Sequence, residues 1–126
     1  MRALLGEGKI LHWGMSEAAA DTVRRAHRVC PVTALQSQYS IWWREPEEDI
    51  MPMLEEEGIG FVTFSPLGKG YLAGAFNART RFAEGDVRNI FPRFSPENMA
   101  ANQPIVDAIQ AMSDRKGVTP SHIAIA

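Results

Sequence analysis

Residues 58–70 read Gly-Ile-Gly-Phe-Val-Thr-Phe-Ser-Pro-Leu-Gly-Lys-Gly, a short apolar strand followed by a glycine-rich turn. The strand stops at a hydroxyl and a proline, Ser65 and Pro66. Proteins of the α/β class present backbone N–H groups to phosphates at the carboxyl ends of strands through turns of this kind. The run therefore predicts a strand that leads into a ligand-binding turn, and the rest of the chain is interpreted around it.

The glycine spacing in this turn matches no named phosphate motif. Gly68, Gly70 and Gly74 are spaced one residue too widely for the dinucleotide fingerprint. Lys69 is followed by glycine, whereas a P-loop lysine is followed by Ser or Thr. The pattern alone leaves a phosphate site and a flexible strand-to-loop turn as equal alternatives.

Two further strands are predicted, over residues 10–16 and 34–39, before the strand at residues 60–65. Helical stretches separate the three strands. Parallel strands need long crossover connections, which helices usually provide. The β-α-β-α-β order therefore predicts an α/β fold with a parallel sheet.

Capping signals give the predicted limits of the two crossover helices. Ser16 is predicted to cap the first helix, and Pro31 to end it. The second helix is predicted to begin at Pro46, a residue favoured at the first helical position, and to end at Gly58.

The remainder of the chain follows a different pattern. Residues 68–97 show neither a helical nor a strand period, and a segment of that length in a compact domain is usually functional or disordered. A helix is predicted over residues 98–116, and another begins at Thr119. The first residues read as the end of a helix, and three parallel strands leave two unpaired sheet edges. We therefore expect one incomplete domain over residues 1–126, truncated at both ends.

Composition excludes several classes of partner. A net charge of −2 over 126 residues gives no electrostatic case for nucleic acid or an anionic membrane. No apolar stretch approaches the ~20 residues of a membrane span. The single cysteine, Cys30, fits a reducing compartment, and with His27 it lacks the second ligand pair of a metal site. The expectation is a cytoplasmic protein without a metal.

Two glutamines stand on one face of the second predicted strand. Gln36 and Gln38 occupy alternate positions, so their side chains point the same way. In a barrel that face points inward. A glutamine amide there can pair with a ligand amide, donor to acceptor and acceptor to donor. The alternative is a polar layer that fills the barrel interior.

Three segments of the chain occur together in an order and spacing that resemble one enzyme family. They are Gly-Lys-Ile-Leu-His-Trp-Gly-Met-Ser-Glu at 8–17, Leu-Gln-Ser-Gln-Tyr-Ser at 35–40, and Gly-Phe-Val-Thr-Phe-Ser-Pro-Leu-Gly-Lys-Gly at 60–70. On these segments the chain resembles the carboxyl half of an aldo-keto reductase. Residues 93–98 and the following helix extend the resemblance over essentially all of the chain.

The resemblance implies a partial (β/α)₈ TIM barrel, with about strands five to seven, their helices and the start of the next unit. It implies an NADP(H)-dependent oxidoreductase, with NAD(H) as the alternative cofactor, that reduces a small-molecule aldehyde or ketone by hydride transfer. Residues 68–97 then form a long loop that folds over the cofactor. A whole barrel needs about 250 residues.

The same resemblance assigns the cofactor-binding residues. Ser16 and Gln36 match positions that hydrogen-bond the nicotinamide carboxamide. Phe64 matches an aromatic position that stacks on the nicotinamide ring. The turn that runs along the pyrophosphate is matched by Ser65, Pro66, Leu67, Gly68, Lys69 and Gly70.

Two departures from the family pattern bear on function. Many members carry asparagine after the serine of the first segment, but here it is Glu17, whose carboxylate cannot donate as an amide does, so no direct contact is expected. The family's catalytic Asp, Tyr, Lys and His belong to the first four strands, so no residue here matches a catalytic position.

Three hypotheses remain at this point. The chain is a fragment of an aldo-keto reductase that supplies part of the cofactor site and has no activity alone. Alternatively, it is a noncatalytic cofactor-binding or regulatory half-barrel module, or a nonfunctional truncated product. The unpaired sheet edges predict that the isolated chain is poorly stable or self-associates.

Overall fold

The computed structural model describes residues 1–126 as two compact units, Met1–Ser65 and Pro66–Ala126. The first unit combines three strands with three helices. Its helices and strands in chain order are α1 (Arg2–Gly6), β1 (Gly14–Ser16), α2 (Ala20–Val29), β2 (Ala34–Gln38), α3 (Ile50–Glu57) and β3 (Gly60–Phe64).

The three strands form one parallel sheet in the order β1-β2-β3. Helix α2 connects β1 to β2, and α3 connects β2 to β3. The predicted β-α-β-α-β order and the parallel sheet are therefore confirmed. Because parallel strands all run the same way, their carboxyl ends meet at one edge of the sheet.

Each strand is shorter than predicted. Strand β1 covers only Gly14–Ser16, because β2 begins at Ala34 and leaves the earlier residues of the predicted strand 10–16 without a ladder partner. The predicted strand 60–65 ends one residue early, since Ser65 has a left-handed backbone with φ 59°. The predicted strand 34–39 likewise ends at Gln38.

Two predicted helix starts are wrong. Ser16 is still paired with β2 as the last residue of β1, so it cannot cap α2, which begins behind Ala19 without a side-chain cap. Pro46 lies in a short 3₁₀ turn, and α3 begins only at Ile50 because the backbone of Asp49 is not helical. The two predicted stop signals are confirmed, because α2 ends at Val29, shortly before Pro31, and α3 ends at Glu57, directly before the left-handed Gly58.

One face of the sheet packs against the helices of its own unit. Arg24 of α2 forms ion pairs with two glutamates of α3, Glu56 at 2.5 Å and Glu57 at 2.7 Å. Each buried large aliphatic side chain stabilises the fold by about 1.5–3 kcal/mol. The buried core of this unit consists of Val23, Val32, Leu35, Ile50, Met53, Leu54 and Ile59.

The second unit contains 3₁₀ turns followed by two helices, α4 (Pro96–Lys116) and α5 (Pro120–Ile125). Ser95 caps α4 by accepting a hydrogen bond from the Asn98 N–H, and the helix continues through Pro104 to a left-handed Gly117. Thr119 caps α5, as its position predicted. Buried apolar residues of this unit include Tyr71, Leu72, Phe76, Phe94, Met99 and Ile109.

No helix in the structure has both the length and the apolar character that crossing a membrane requires.

A single glycine permits the close approach of β1 to β2. A Cβ atom built on Gly14 lies 2.6 Å from the carbonyl oxygen of Ala34, far inside van der Waals contact. That oxygen belongs to the backbone of the central strand and cannot rotate away. Any side chain at position 14 therefore forces the two strands apart.

We expect Gly14→Ala to lower the free energy of unfolding of the first unit by about 1–3 kcal/mol, the usual cost of overpacking. Tryptophan fluorescence in urea measures this directly, because all three tryptophans of the chain, Trp13, Trp42 and Trp43, lie in this unit. Gly6→Ala is the matched control, since nothing lies within 4 Å of its added Cβ. An unchanged urea midpoint for Gly14→Ala contradicts the prediction.

Candidate functional site

Polar side chains lie on the sheet face opposite the helices of the first unit. Ser16 ends β1, Gln36 is its neighbour in register on β2, and Val62 of β3 continues the row. All three side chains are exposed. The Ser16 hydroxyl and the Gln36 amide each offer a donor and an acceptor. A ligand amide that lies along this row can therefore hydrogen-bond to both residues.

The next row of this face, closer to the carboxyl ends of the strands, adds an aromatic ring. Phe64 is the last residue of β3 and stands in register with Gln38 on β2, and both are half-buried. Strand β2 buries Leu35 and Ser37 and turns Gln36 and Gln38 to the opposite face, as predicted. The ring of Phe64 supplies an apolar surface near the polar row.

Glu17 joins the carboxyl ends of β1 and β2, a role that sequence reasoning missed. Its carboxylate oxygen Oε1 accepts hydrogen bonds from the Ser37 hydroxyl at 2.8 Å and from the Gln38 N–H at 2.7 Å. Its own N–H donates to the Gln36 carbonyl at 2.9 Å. The side chain is thus occupied within the sheet. The only signal in the sequence was the carboxylate that replaces the more usual asparagine.

Two non-glycine residues with left-handed backbones directly follow strands of this sheet. They are Glu17 after β1, with φ 53°, and Ser65 after β3, with φ 59°. Such conformations are uncommon outside glycine and cluster where a fold holds a functional geometry. Their position favours the carboxyl edge of the sheet as the functional edge.

The second unit begins with the predicted glycine-rich turn, which has a strongly left-handed backbone. Gly68, Lys69 and Gly70 have φ values of 54°, 54° and 100°. A Cβ atom on Gly70 would lie 3.4 Å from side-chain atoms of both Ala75 and Phe76, a close contact that still fits, so the φ of 100° is what favours glycine at this position.

The backbone hydrogen bonds at this turn are donated by its last glycine and by the two residues that follow it. The Gly70 and Leu72 N–H groups donate to the Leu67 carbonyl at 2.9 and 3.2 Å, and the Tyr71 N–H donates to the Gly68 carbonyl at 3.2 Å. The N–H groups of Leu67, Gly68 and Lys69 take no part in these bonds. Backbone N–H groups of successive residues in a turn are the donors that bind anions.

Lys69 adds a positive charge to the turn. Its side chain is exposed, and its ammonium lies 5.2 Å from the centre of the Phe91 ring. A cation over an aromatic face is stabilised by about 0.5–1 kcal/mol at an exposed site. The contact holds the ammonium in the neighbourhood of the turn without neutralising it.

Aromatic packing gives residues 68–97 a defined structure despite the lack of a sequence period. Phe76 lies 5.0 Å from Phe82 and 5.8 Å from Phe94 between ring centres. The Arg88 guanidinium covers two of these rings, at 5.1 Å from Phe76 and 4.3 Å from Phe82. Contacts among residues that are distant in sequence replace the regular hydrogen bonding of a helix or strand.

An ion pair fixes the position of Arg88. Asp86 binds its guanidinium at 2.6 Å and also accepts a hydrogen bond from the Arg88 backbone N–H at 2.9 Å. The side-chain hydrogen bonds from Arg88 lower the pKa of Asp86 to about 2, with a further contribution from the backbone bond. The carboxylate is therefore charged at neutral pH and keeps Arg88 over the rings.

The tyrosine that follows β2 is engaged in a structural contact. Tyr39 donates its hydroxyl proton to Glu47 at 2.5 Å, and this bond, with burial, raises the pKa of Tyr39. Arg44 also pairs with Glu47 at 2.5 Å. The hydroxyl of Tyr39 therefore connects the end of β2 to the following turn, and its proton is held by Glu47.

The predicted cofactor-binding residues divide between the two units of the structure. The first unit brings Ser16 and Gln36 side by side and places Phe64 and Ser65 at the end of β3. The second unit holds the other five in its opening turn, namely Pro66, Leu67, Gly68, Lys69 and Gly70.

A scan against protein-family models matches the aldo/keto reductase family over residues 1–126. Solved structures with the same fold include the glycerol dehydrogenase AKR11B4 from Gluconobacter oxydans, at 24% identity and a TM-score of 0.91 over 98% of this chain. The holo form of the aldo-keto reductase AKR11C1 from Bacillus halodurans matches at 28% identity and a TM-score of 0.53 over 68% of this chain.

The chain spans well under half the length of these solved relatives. It covers 38% of the Gluconobacter protein and 27% of the Bacillus protein. The three-stranded parallel sheet with its helices therefore matches a part of an aldo-keto reductase fold.

The Asp86–Arg88 pair makes a pH-dependent prediction. Because the pKa of Asp86 is lower in the folded chain than its ordinary 3.8, the pair stabilises the segment fully above about pH 4. That contribution is lost as the pH falls through about 2. The protection of residues 77–91 against hydrogen exchange, taken relative to the intrinsic rate at each pH, should therefore fall between pH 5 and pH 2.

Two variants control this measurement. Asp86→Asn should speed exchange in the segment already at pH 5 and remove the acid dependence. Glu84→Gln changes an exposed carboxylate of the same segment that makes no ion pair. It should leave the exchange rate at pH 5 and its acid dependence unchanged. Equal behaviour of the two variants contradicts the role of the pair.

Proposed function

The chain belongs to the aldo/keto reductase family, and we propose that it supplies part of the nicotinamide-cofactor site of an oxidoreductase that reduces aldehydes or ketones. The observation that carries the proposal is the register pairing of Ser16 with Gln36 on the exposed sheet face. The two residues are distant in sequence, yet they present donors and acceptors side by side at the carboxyl edge of parallel strands.

The first unit binds the nicotinamide end in this proposal. The carboxamide of nicotinamide has one amino group and one carbonyl oxygen, which suit the Gln36 amide and the Ser16 hydroxyl. Phe64 stacks on the nicotinamide ring from the end of β3. All three groups are uncharged, as expected for a neutral amide ligand.

The second unit binds the pyrophosphate end. In the turn Pro66–Gly70, preceded by Ser65, the backbone N–H groups of Leu67, Gly68 and Lys69 and the Lys69 ammonium bind the phosphates. NADP(H) is the cofactor proposed, with NAD(H) as the second choice. Residues 68–97 form the loop that covers the bound cofactor, and their aromatic cluster gives that loop a fixed shape.

In the parent enzyme this chain forms about the fifth to seventh strands of the (β/α)₈ barrel. When bound, a nicotinamide supplies the hydride that a carbonyl carbon accepts. Ser16, Gln36 and Phe64 orient the ring, and the proton comes from a tyrosine outside the matched positions of this chain. We therefore expect the chain alone to bind the cofactor without reducing a carbonyl.

We expect Gln36→Ala to weaken NADPH binding about tenfold, because the hydrogen bonding between the Gln36 amide and the carboxamide is lost. Titration of the full chain with NADPH, followed by cofactor fluorescence, measures the affinity. Gln110→Ala is the matched control, since it removes an exposed glutamine of α4. The proposal is wrong if the chain shows no saturable binding of NADPH or NADH, or if both variants bind alike.

Ser65 provides a second test, directed at the phosphates. Asp and Asn both tolerate the left-handed backbone of this position and are alike in size, but only Asp carries a negative charge. Ser65→Asp should weaken NADPH binding several-fold more than Ser65→Asn, through repulsion of the pyrophosphate, and added salt should narrow the gap. If the two variants bind NADPH with equal affinity at low salt, Ser65 does not lie at the phosphate site.

A further inference from the structure

We infer that Glu17 is a positioning residue of the proposed cofactor site. Its carboxylate holds the end of β1 against β2, and so keeps Ser16 in register beside Gln36. The inference depends on the proposed function for its effect on the cofactor. That Glu17 holds the two strands together is argued from its own contacts and does not depend on the proposed function.

The hydrogen bonds of Glu17 extend the pairing of β1 with β2 beyond the end of β1. The Glu17 N–H donates to the Gln36 carbonyl at 2.9 Å, the last backbone bond between the two strands in this direction. The backbone of Glu17 then turns into the left-handed region. Strand β2 continues to Gln38, whose N–H no longer faces a strand on that side. The Glu17 carboxylate accepts this N–H at 2.7 Å.

The same carboxylate oxygen also accepts a bond from the buried Ser37, at 2.8 Å from its hydroxyl. Bonds to a charged acceptor are stronger than bonds between neutral groups. Strand β1 has only three residues, Gly14–Ser16, so the ladder itself contributes few bonds. Two side-chain bonds are therefore a large part of what holds the end of β1 in place.

The backbone conformation of Glu17 points to the same role. Glutamate has no intrinsic preference for a φ of 53°, where a Cβ atom crowds the carbonyl oxygen. Glycine would relieve that crowding, but it has no carboxylate to offer Ser37 and Gln38. A glycine variant therefore separates the contribution of the side chain from that of the backbone shape.

Misplacement of Ser16 has a direct consequence for the ligand. Ser16 immediately precedes Glu17, and its pairing with Gln36 brings the two proposed carboxamide partners together. Binding groups must be held within a fraction of an ångström of their working geometry. Release of the Glu17 carboxylate should therefore weaken the cofactor site without any change in the residues that contact the cofactor.

The test compares Glu17→Ala, Glu17→Gly and Glu17→Gln in the full chain. Hydrogen exchange by NMR reports the Glu17 and Gln38 amides, and titration with NADPH reports the site. The Ala and Gly variants should speed exchange of the Gln38 amide at least tenfold and weaken NADPH binding about fivefold to tenfold. The Gln variant keeps an oxygen acceptor but loses the charge, so it should fall between the wild type and Glu17→Ala in both measurements.

Val23→Ala is the control for a general loss of stability, because Val23 is a fully buried residue of the core of the same unit. It should lower the urea midpoint and leave NADPH affinity unchanged at temperatures where the chain is folded. The inference is overturned if Glu17→Gly behaves like the wild type, if the Gln38 amide exchanges equally in Glu17→Ala, or if Val23→Ala weakens NADPH binding as much.

Failure of the proposed function gives a different result. The wild type then shows no NADPH binding, while exchange at the Gln38 amide still decides whether Glu17 holds the strands. If the wild type binds NADPH and Glu17→Ala binds it equally well, the proposed function stands and the inference about Glu17 is wrong.

Discussion

Parallel pairing of β2 with a strand on either side is the constraint on which the first unit depends. It requires β1 to approach β2 so closely that only Gly14 fits beside the Ala34 carbonyl. It also requires a long crossover between successive strands, which α2 and α3 provide here, and these helices cover one face of the sheet and bury Leu35. The opposite face keeps Ser16 and Gln36 exposed in one row, so the packing of the core and the position of the polar row have the same origin.

The two units achieve order by different physical means. The first relies on a strand ladder and an aliphatic core, in which backbone hydrogen bonds and hydrophobic burial act together. The segment that begins the second has little regular hydrogen bonding, and instead packs aromatic rings around Arg88, held by Asp86. Tyr71 is fully buried there, and its hydroxyl donates to the Met99 carbonyl. The proposed pyrophosphate turn stands at the start of this aromatic segment.

The chemistry of the proposed site follows the chemistry of its ligand. Neutral donors and acceptors, Ser16 and Gln36, face the position proposed for a neutral carboxamide. Backbone N–H groups and the ammonium of Lys69 are proposed to bind the charged pyrophosphate end. Glu17 directly follows Ser16 in the chain, and its Oε1 accepts hydrogen bonds from the Ser37 hydroxyl and the Gln38 N–H. The fold thus uses this carboxylate to hold the ends of the two strands together.

The sequence by itself determined the α/β class, the β-α-β-α-β order of elements along the chain, the helix stop signals at Pro31 and Gly58, and the shared face of Gln36 and Gln38. These features follow from local patterns, namely two-residue alternation, caps and glycine stops. Only the tertiary structure decided the lengths of the strands, because Ser16 remains a strand residue through pairing with β2 and Ser65 leaves its strand through a left-handed turn. Likewise, the contacts of Glu17 and the aromatic packing around Arg88 join residues far apart in sequence, and no local period encodes them. The distances between such residues are set by packing, which is why their roles became visible only in the folded chain.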